Sequence, residues 1–363
     1  MKKIVVLGGT GIVGSVVVKD LFETCKDCDI LLASSSNKAF EYASSFRSSR
    51  VRGVVVDVTD IPATAKIIKG SDVVINCVNY YFNLHVMKAC LKANANYLDL
   101  GGLFHMTKKQ LKLNNQFKRK RLLAVLGCGS TPGITNVLAA YGASEFDKVE
   151  EMHVSFGDAD FRKHGQSFVL PYSFATLVDE LTMKPALLAK GVLKMVEPRS
   201  GDRVIGFPKP IGKLRGFYAL HSELATFPSS FKLKECSFRA TFSKEFISGV
   251  LDYMKKGVNA KEMEKYLPKE GTKVDDVEIV QVNIKGIKNN KKKQLILDAL
   301  AKSHKGWNIP AGTYDTAVPA SIIAQMIAGK RVSKNGVLPP ELCIDHALFF
   351  KELKKRNILV SKS

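Results

Sequence analysis

The sequence has few of the features that mark exported, disulfide-stabilised or membrane-embedded proteins. Its 363 residues include one tryptophan and seven cysteines, and an odd, scattered set of cysteines argues for reduced thiols rather than a disulfide framework. No apolar run approaches the ~20 residues that a membrane helix needs. The first residues lead directly into a glycine loop, whereas a signal peptide would continue to a cleavage site. We therefore expect a cytoplasmic protein with no membrane partner.

Acidic residues are scarce relative to basic ones. The 34 Asp and Glu residues stand against 55 Lys and Arg, and the formal net charge is +21. Such a charge suits a nucleic-acid partner, an acidic substrate, an anionic cofactor or simply a lysine-rich surface. The densest basic runs, 118–121 and 291–293, have no zinc-finger, RNA-recognition or homeodomain signature beside them. We therefore expect no nucleic-acid partner.

Cys25 and Cys28 form a lone CxxC pair. A zinc site would need a second pair at suitable spacing, and the sequence has none, so no metal site is expected. A redox dithiol is the alternative interpretation. Because both cysteines follow a helical pattern near its end, we interpret them as structural.

The amino-terminal segment has the pattern of a strand, a glycine loop and a helix. A β-branched apolar run at 3–7 predicts a buried parallel strand, and 15–22 predicts a helix. Between them lies a GxGxxG motif, in which the glycines permit a tight turn, a close approach to a pyrophosphate and close helix–strand packing. The helix N-terminus then favours phosphate binding. We expect dinucleotide contacts from Gly9, Thr10, Gly11, Ile12, Val13 and Gly14.

The second predicted strand, 29–33, lacks an acidic residue at its end. An NAD enzyme places Asp or Glu there to hold the ribose 2′-hydroxyl. This chain instead has Ser34, Ser35 and Ser36, followed by Asn37 and Lys38. Three hydroxyls and a lysine suit a 2′-phosphate, so the pattern favours NADP(H) over NAD(H). A serine-rich loop without a binding role is the alternative.

Strand and helix patterns continue to alternate up to residue 130, which indicates an α/β fold with a doubly wound parallel sheet. Further strands are predicted at 51–56, 71–78, 96–100 and 122–126. Ligands bind beyond the carboxyl ends of such strands. The residues predicted to contact the cofactor there are Asp57, as an adenine contact, Cys77, Val78, Gly129 and Ser130.

Five segments together carry a family resemblance that spans most of the chain in order. They are 97–105, 127–136, 221–228, 318–326 and 336–341. On these segments the chain resembles the saccharopine dehydrogenase family, which holds saccharopine reductases, lysine 6-dehydrogenases and carboxynorspermidine dehydrogenases.

The resemblance implies a Rossmann domain that is interrupted by a second α/β domain built on a mixed sheet. The first domain would comprise 1–130 and 313–363, and 131–312 would form the inserted substrate-binding and dimerisation domain. We expect a homodimer, a small-molecule amino-acid substrate, and a helix that begins at Pro319. The strands expected in the inserted domain are 149–157, 203–207, 217–220, 236–242 and 276–287.

Amino-acid dehydrogenation moves a hydride between nicotinamide C4 and a carbon that bears nitrogen, and it needs a side chain that handles protons near neutral pH. His221 is the first candidate, with Glu223 placed on the same strand face by period-2 alternation. Asp99, at the end of the fifth strand, is the third catalytic candidate. The alternatives are a backbone hydrogen bond for His221 and a turn cap for Asp99.

Substrate-binding candidates are fewer and less distinctive. Tyr172 precedes a predicted helix of the second domain, and His105 follows a glycine pair, although it equally suits a cap of a helix near Thr107. A substrate carboxylate favours an arginine fork. Arg239 is our candidate, and Arg215 is an alternative that the sequence does not separate from it.

We expect an NAD(P)H-dependent oxidoreductase that acts on the CH–NH bond of an amino acid. Saccharopine reduction, which joins allysine and glutamate, is the first expectation; lysine 6-dehydrogenation and carboxynorspermidine formation are the alternatives. Short-chain dehydrogenase chemistry needs Tyr-x-x-x-Lys, which the sequence lacks. From another class, a non-catalytic NADP(H)-binding regulator is the remaining alternative.

Overall fold

The computed structural model describes residues 1–162, 172–257 and 273–363. They divide into two compact units, the first formed by Met1–Val137 with Thr316–Arg356 and the second by Leu138–Asp315 with Asn357–Ser363. The boundaries predicted from the sequence differ from these at 131–137, which belong to the first unit, at 313–315, and at the carboxyl end. Residues 357–363 belong to the second unit, because the strand Leu359–Lys362 pairs with a strand of the second sheet.

The strands are β1 (Lys2–Leu7), β2 (Cys28–Ser34), β3 (Val51–Val55), β4 (Val73–Asn76), β5 (Asn96–Asp99), β6 (Leu123–Val125), β7 (Lys148–Asp160), β8 (Ala186–Ala189), β9 (Val192–Met195), β10 (Arg203–Gly206), β11 (Lys213–Tyr218), β12 (Glu235–Ala240), β13 (Asp276–Lys288), β14 (Lys291–Lys302), β15 (Gly336–Leu338) and β16 (Leu359–Lys362).

The helices are α1 (Ile12–Thr24), α2 (Lys38–Ser45), α3 (Ile61–Ile68), α4 (Asn83–Ala93), α5 (Leu103–Leu111), α6 (Asn114–Arg119), α7 (Ile134–Ala143), α8 (Phe174–Thr182), α9 (Phe227–Ser230), α10 (Lys244–Lys255), α11 (Ala311–Ala328) and α12 (His346–Lys355). Within the described ranges, no helix is both long and apolar enough to cross a membrane.

A seven-stranded parallel sheet forms the centre of the first unit, in the order β15-β6-β5-β4-β1-β2-β3. Within this sheet β1, which lies between β4 and β2, has no exposed surface at residues 4–7. Burial on both faces explains the continuous apolar runs of these strands. The predicted doubly wound sheet is confirmed, and β15 adds a seventh strand that the sequence patterns did not indicate.

The helix predicted to begin at Pro319 begins eight residues earlier, so that prediction is wrong. Pro319 lies inside α11, where it removes the hydrogen bond to the carbonyl of Asp315. The helix continues through it because residues on both sides, among them Ala317, Val318 and Ala320, are buried. Tertiary packing therefore outweighs the local preference of proline for a first turn.

A mixed sheet forms the centre of the second unit, in the order β10-β11-β12-β7-β13-β14-β16, with β8 paired to β12 and β9 paired to β8. The pair β12–β7 is parallel and the other pairs are antiparallel. All five predicted strands are present with shifted ends, and β11 ends at Tyr218 rather than at 220. The turn between β13 and β14 contains Asn289 and Asn290, whose φ angles of 49° and 60° suit a tight hairpin.

Candidate functional site

The glycine loop after β1 has the geometry of a dinucleotide cradle. Gly8 has a φ of +77°, and a Cβ on Gly14 would lie 2.1 Å from the Gly8 carbonyl oxygen. The Gly11 N–H donates to that same oxygen at 3.0 Å, and α1 begins at the next residue. The loop thus packs tightly against the helix, and the first N–H groups of α1 point toward the loop, where a pyrophosphate fits.

The residues after β2 lie beside this cradle. The Thr10 hydroxyl donates to the Ser34 Oγ at 2.8 Å, which joins the glycine loop to the end of β2. Ser35 and Ser36 are exposed, and Lys38 is the exposed first residue of α2. The structure therefore brings the predicted serine cluster and the glycine loop together.

The remaining predicted cofactor contacts lie at the carboxyl ends of β3, β4 and β6. Asp57 is exposed and accepts hydrogen bonds from the Thr59 N–H and hydroxyl, which lower the pKa of its carboxyl. The Cys77 N–H donates to the Leu7 carbonyl at 2.8 Å, and Val78 follows it beside Gly8. These residues therefore line the same edge of the sheet.

The loop after β6 is closed by its own backbone. The Gly129 N–H donates to the Pro132 carbonyl at 2.8 Å, and a Cβ on Gly133 would lie 1.9 Å from the Gly129 oxygen. Ser130 is buried, with 3% exposure. The cofactor contacts predicted for Gly129 and Ser130 remain predictions.

Asp99 is the centre of a buried polar network at the ends of β5 and β6. One carboxylate oxygen accepts the Gly101 and Gly127 N–H groups at 2.9 and 2.8 Å. The other accepts the Tyr97 hydroxyl at 2.8 Å and Gln110 Nε2 at 2.6 Å. Burial raises the pKa of Asp99, and these hydrogen bonds oppose the rise. The geometry fits the turn cap, in that the carboxylate positions two loops; its predicted catalytic role stays a prediction.

His105 lies in the first turn of α5 and is exposed. Its ring contacts Phe104 edge to face, with centroids 5.3 Å apart. Because α5 begins at Leu103, the alternative of a cap for a helix near Thr107 is wrong. A substrate contact from His105 remains a prediction.

His221 and Glu223 are brought together in the second unit, although not by strand alternation. β11 ends at Tyr218, and Glu223 begins a 3-10 turn at 223–225. The His221 Nδ1 and the Glu223 carboxylate are hydrogen-bonded. The imidazole stacks on the Phe238 ring with centroids 3.7 Å apart and an interplanar angle of 10°. Both side chains are buried, with exposures of 6% and 0%.

A second carboxylate, Glu180 of α8, completes this cluster. Its Oε1 lies 4.0 Å from His221 Nε2, and its Oε2 accepts the Tyr172 hydroxyl at 2.5 Å. The sequence analysis missed Glu180 as a site residue. The available signal was its place on the apolar face of an amphipathic helix, six residues after Phe174 and three after Leu177.

The cluster has the electrostatics of a proton-handling site. Burial lowers the pKa of His221, but the charge and hydrogen bond of Glu223 and the charge of Glu180 outweigh it, so the pKa is raised. Burial raises the pKa of Glu180 to about 7, against the opposing charge of His221. Protons are therefore gained and lost here near neutral pH, which suits general acid–base chemistry.

The two arginine candidates differ in burial and in hydrogen-bond partners. Arg215 is exposed and paired with Asp202. Arg239 is buried and donates to the Gly201 carbonyl at 3.3 Å, the Ser237 hydroxyl at 2.8 Å and the Tyr218 hydroxyl at 2.7 Å. Its guanidinium also stacks 4.2 Å above the Tyr218 ring. Most of its hydrogen-bonding capacity is thus used within the second unit.

Cys25 and Cys28 form a disulfide, which corrects the expectation of reduced thiols at this pair. The pair joins the end of α1 to the start of β2, with Cα atoms 5.4 Å apart, within the range of disulfide geometry. The other five cysteines are free. Within the described residues, the one group with metal-ligating atoms close together is this pair with Asp27, and its sulfurs are bonded to each other.

Comparison with known proteins identifies the domain that the glycine loop begins. Residues 4–125 match the family model of the saccharopine dehydrogenase NADP binding domain. The chain is 31% identical over 260 residues to carboxyaminopropylagmatine dehydrogenase of Synechocystis sp., covering 68% of this chain and 64% of that protein. It is 25% identical over 217 residues to carboxynorspermidine synthase of Vibrio cholerae, covering 55% and 51%. The chain thus spans between half and two thirds of the length of these curated relatives.

Solved structures show where the whole fold recurs. Saccharopine dehydrogenase (L-Glu forming) from Saccharomyces cerevisiae matches with a TM-score of 0.75 and 13% identity over 100% of this chain and 99% of that one. Homospermidine synthase from Legionella pneumophila, solved with NAD, matches with a TM-score of 0.73 and 12% identity over 100% and 91%. At such identities the likeness concerns the fold alone. The matched family model assigns residues 4–125 of this chain to the saccharopine dehydrogenase NADP binding domain.

Proposed function

We propose that this chain is an NAD(P)H-dependent oxidoreductase that reduces the imine formed between an aldehyde and an amine to the secondary amine of a carboxyl-bearing polyamine. The observation that carries the proposal is the buried imidazole of His221 between the carboxylates of Glu223 and Glu180. Such a group handles a proton and tolerates a positive charge on a neighbouring nitrogen, which reduction of an imine requires.

The same site favours an amine over an amino dicarboxylate as co-substrate. A carboxylate brought beside Glu180 and Glu223 would add a third negative charge to a buried site, which is unfavourable in a low dielectric. Arg239, the candidate partner for a carboxylate, is already bonded to Ser237 and Tyr218. The names of the two relatives, carboxyaminopropylagmatine dehydrogenase and carboxynorspermidine synthase, describe polyamines of this type. The alternative of carboxynorspermidine-type chemistry thus replaces saccharopine reduction as the leading proposal.

In the proposed mechanism, the bound dinucleotide supplies the hydride, and the chain's own residues handle the proton. His221 donates from Nε2 to the imine nitrogen, which makes the adjacent carbon electrophilic. Glu223 holds Nδ1 and keeps the ring oriented on Phe238, so the proton is presented from a fixed atom. In the opposite direction the neutral imidazole accepts the proton from the protonated imine that remains after hydride has left the secondary amine.

NADP(H) is the proposed cofactor in preference to NAD(H). The loop at 34–36 offers hydroxyls and no carboxylate beside the glycine cradle. The tight contacts of Gly8 and Gly14 fit a dinucleotide, because any side chain at Gly14 would fill the space between the loop and α1. The match to an NADP binding domain supports the same choice.

The experiment is a substrate panel followed by NADPH and NADH oxidation. The purified chain is given a four-carbon amino-acid semialdehyde with agmatine or 1,3-diaminopropane, and separately a six-carbon amino-acid semialdehyde with glutamate. We expect turnover with the first pair and NADPH. Turnover confined to the second pair would instead support saccharopine reduction, and dinucleotide binding with no turnover of any pair would support a regulator.

A further inference from the structure

Glu180 carries a carboxylate oxygen that the described residues leave without a hydrogen bond. Its side chain is 7% exposed, and its Oε2 is taken by the Tyr172 hydroxyl. Its Oε1 lies 4.0 Å from His221 Nε2, which is too far for a direct hydrogen bond.

Glu180 Oε1 and His221 Nε2 are separated by a distance that one nitrogen atom would bridge. A nitrogen about 2.9 Å from each of these atoms, which are 4.0 Å apart, would meet the usual hydrogen-bond distances. The opposite ends of both side chains are held, by Glu223 at Nδ1 and by Tyr172 at Oε2. The Phe238 ring fixes the plane of the imidazole. Two preorganised atoms therefore face one position.

We propose that Glu180 is a catalytic residue that binds the substrate nitrogen: its Oε1 accepts an N–H of the primary amine that precedes the imine, and its negative charge then lies beside the protonated imine, whose single N–H is the proton exchanged with His221 Nε2. The ligand class is an alkylammonium or iminium cation. This inference rests on the proposed function, and it names the group that holds the reacting nitrogen.

The proton step balances between His221 and the imine. The Nε2–H bond breaks, its electron pair stays on the imidazole, and the proton bonds to the imine lone pair. The positive charge passes from the imidazolium to the C=N unit, next to the Glu180 carboxylate. When the hydride adds to carbon, the C=N π pair becomes the nitrogen lone pair. Glu180 thus stabilises charge where it develops, in a site that excludes most water.

The protonation behaviour of the cluster agrees with this geometry. Burial raises the pKa of Glu180 to about 7, so its ionised form lacks a full counter-charge near neutral pH. A cation at the bridging position supplies one. Asp179, His221 and Glu223 are the charged groups that act on Glu180, and Tyr172 donates to it.

The test compares Glu180→Gln with Glu180→Asp and with Glu197→Gln. Glu197 is an exposed glutamate of the same unit, paired only with Lys184, and serves as the matched control. We expect E180Q to lower kcat/KM for the amine about 100-fold, the usual scale for losing one electrostatic contact in a transition state. E180D keeps the charge and should recover part of the loss, E197Q should match the unchanged protein, and no variant should change the Kd for NADPH.

Binding of the amine alone separates this inference from the proposed function. Calorimetry with agmatine and with 1,3-diaminopropane is run on each variant in the presence of NADP⁺. Turnover in the unchanged protein with equal amine parameters in E180Q overturns the role of Glu180 and leaves the function standing. Amine binding lost in E180Q but not in E197Q, without turnover of any substrate pair, overturns the function and supports the nitrogen site. Equal losses in E180Q and E180D would show that charge is not what matters and overturn the inference, even where E180Q is poorly folded.

Discussion

Replacement of Asp99 by alanine tests whether this carboxylate positions loops or acts in catalysis. The change removes the acceptor of the Gly101 and Gly127 N–H groups, of the Tyr97 hydroxyl and of Gln110 Nε2. The two side chains can reorient, but the two backbone groups cannot. A buried donor left unsatisfied costs about 1–3 kcal/mol, so we expect the free energy of unfolding to fall by about 4 kcal/mol.

Two further variants provide reference values for the loss of stability expected in D99A. Asp99→Asn keeps one oxygen for the two glycine N–H groups, and we expect a loss of about 1–2 kcal/mol. Asp60→Ala removes an exposed aspartate of the same unit that caps α3 through the Ala63 N–H, and a lost cap costs about 1 kcal/mol. The free energy of unfolding should therefore fall clearly more in D99A than in D99N or D60A.

Urea denaturation and hydrogen exchange are the measurements. The exchange of the Gly101 and Gly127 amides should rise strongly in D99A and little in D60A, because only Asp99 binds them. A D99A protein with unchanged stability and unchanged amide protection would refute the positioning role. If that protein had also lost turnover, the carboxylate would act on substrate instead.

Three further predictions concern the cofactor loop and the histidine cluster. Ser34→Asp should lower kcat/KM for NADPH at least 10-fold and favour NADH, because the carboxylate repels a 2′-phosphate; unchanged NADPH affinity would contradict the serine-loop argument. Gly14→Ala should weaken NADPH binding about 100-fold, because its Cβ would lie 2.1 Å from the Gly8 oxygen, whereas Gly206→Ala, with nothing within 4 Å, should bind normally in the same fluorescence titration. Finally, stability should fall as pH rises from about 4.5 to about 7, because folding raises the pKa of Glu180 from 4.5 to about 7, and the raised pKa of His221 should extend the fall upward from pH 6.5; each contribution is full below the unfolded pKa and is lost as pH rises through the folded pKa. Urea midpoints between pH 4 and 8 should show this fall, and E180Q should flatten the part below pH 7; an equally steep fall there in E180Q would count against the assignment.

The sequence predicts the first unit well because its signals are local. Strand, glycine loop and helix follow one another within about 20 residues, and the alternation of strands and helices indicates that the strands are parallel. The Pro319 prediction failed because burial of α11 outweighs a local preference. Cys25 and Cys28 are close in sequence, yet periodicity alone did not indicate that they are bonded.

The histidine cluster includes a contact between distant parts of the sequence that local patterns do not predict. His221 and Glu223 are two residues apart and were paired correctly, although by a 3-10 turn rather than a strand. Glu180 lies 41 positions before His221 on another element, and only the tertiary structure brings them together. A polar residue on the apolar face of a predicted helix is the pattern that would have singled it out.

The loop at the end of β2 has a consequence for how cofactor use can change over time. Ser35 and Ser36 are exposed between the buried Ala33 and Ala39, and exposed positions of this kind tolerate substitution at within about 0.5 kcal/mol. Gly8 and Gly14 have no such freedom, because neighbouring backbone fills the space of a side chain. The glycine loop, which we propose holds the pyrophosphate of either dinucleotide, is thus constrained by the fold. The serine loop, which we propose distinguishes NADP(H) from NAD(H), is open to single substitutions. Substitutions at Ser35 and Ser36 should therefore cost the fold little stability, whatever their effect on the cofactor.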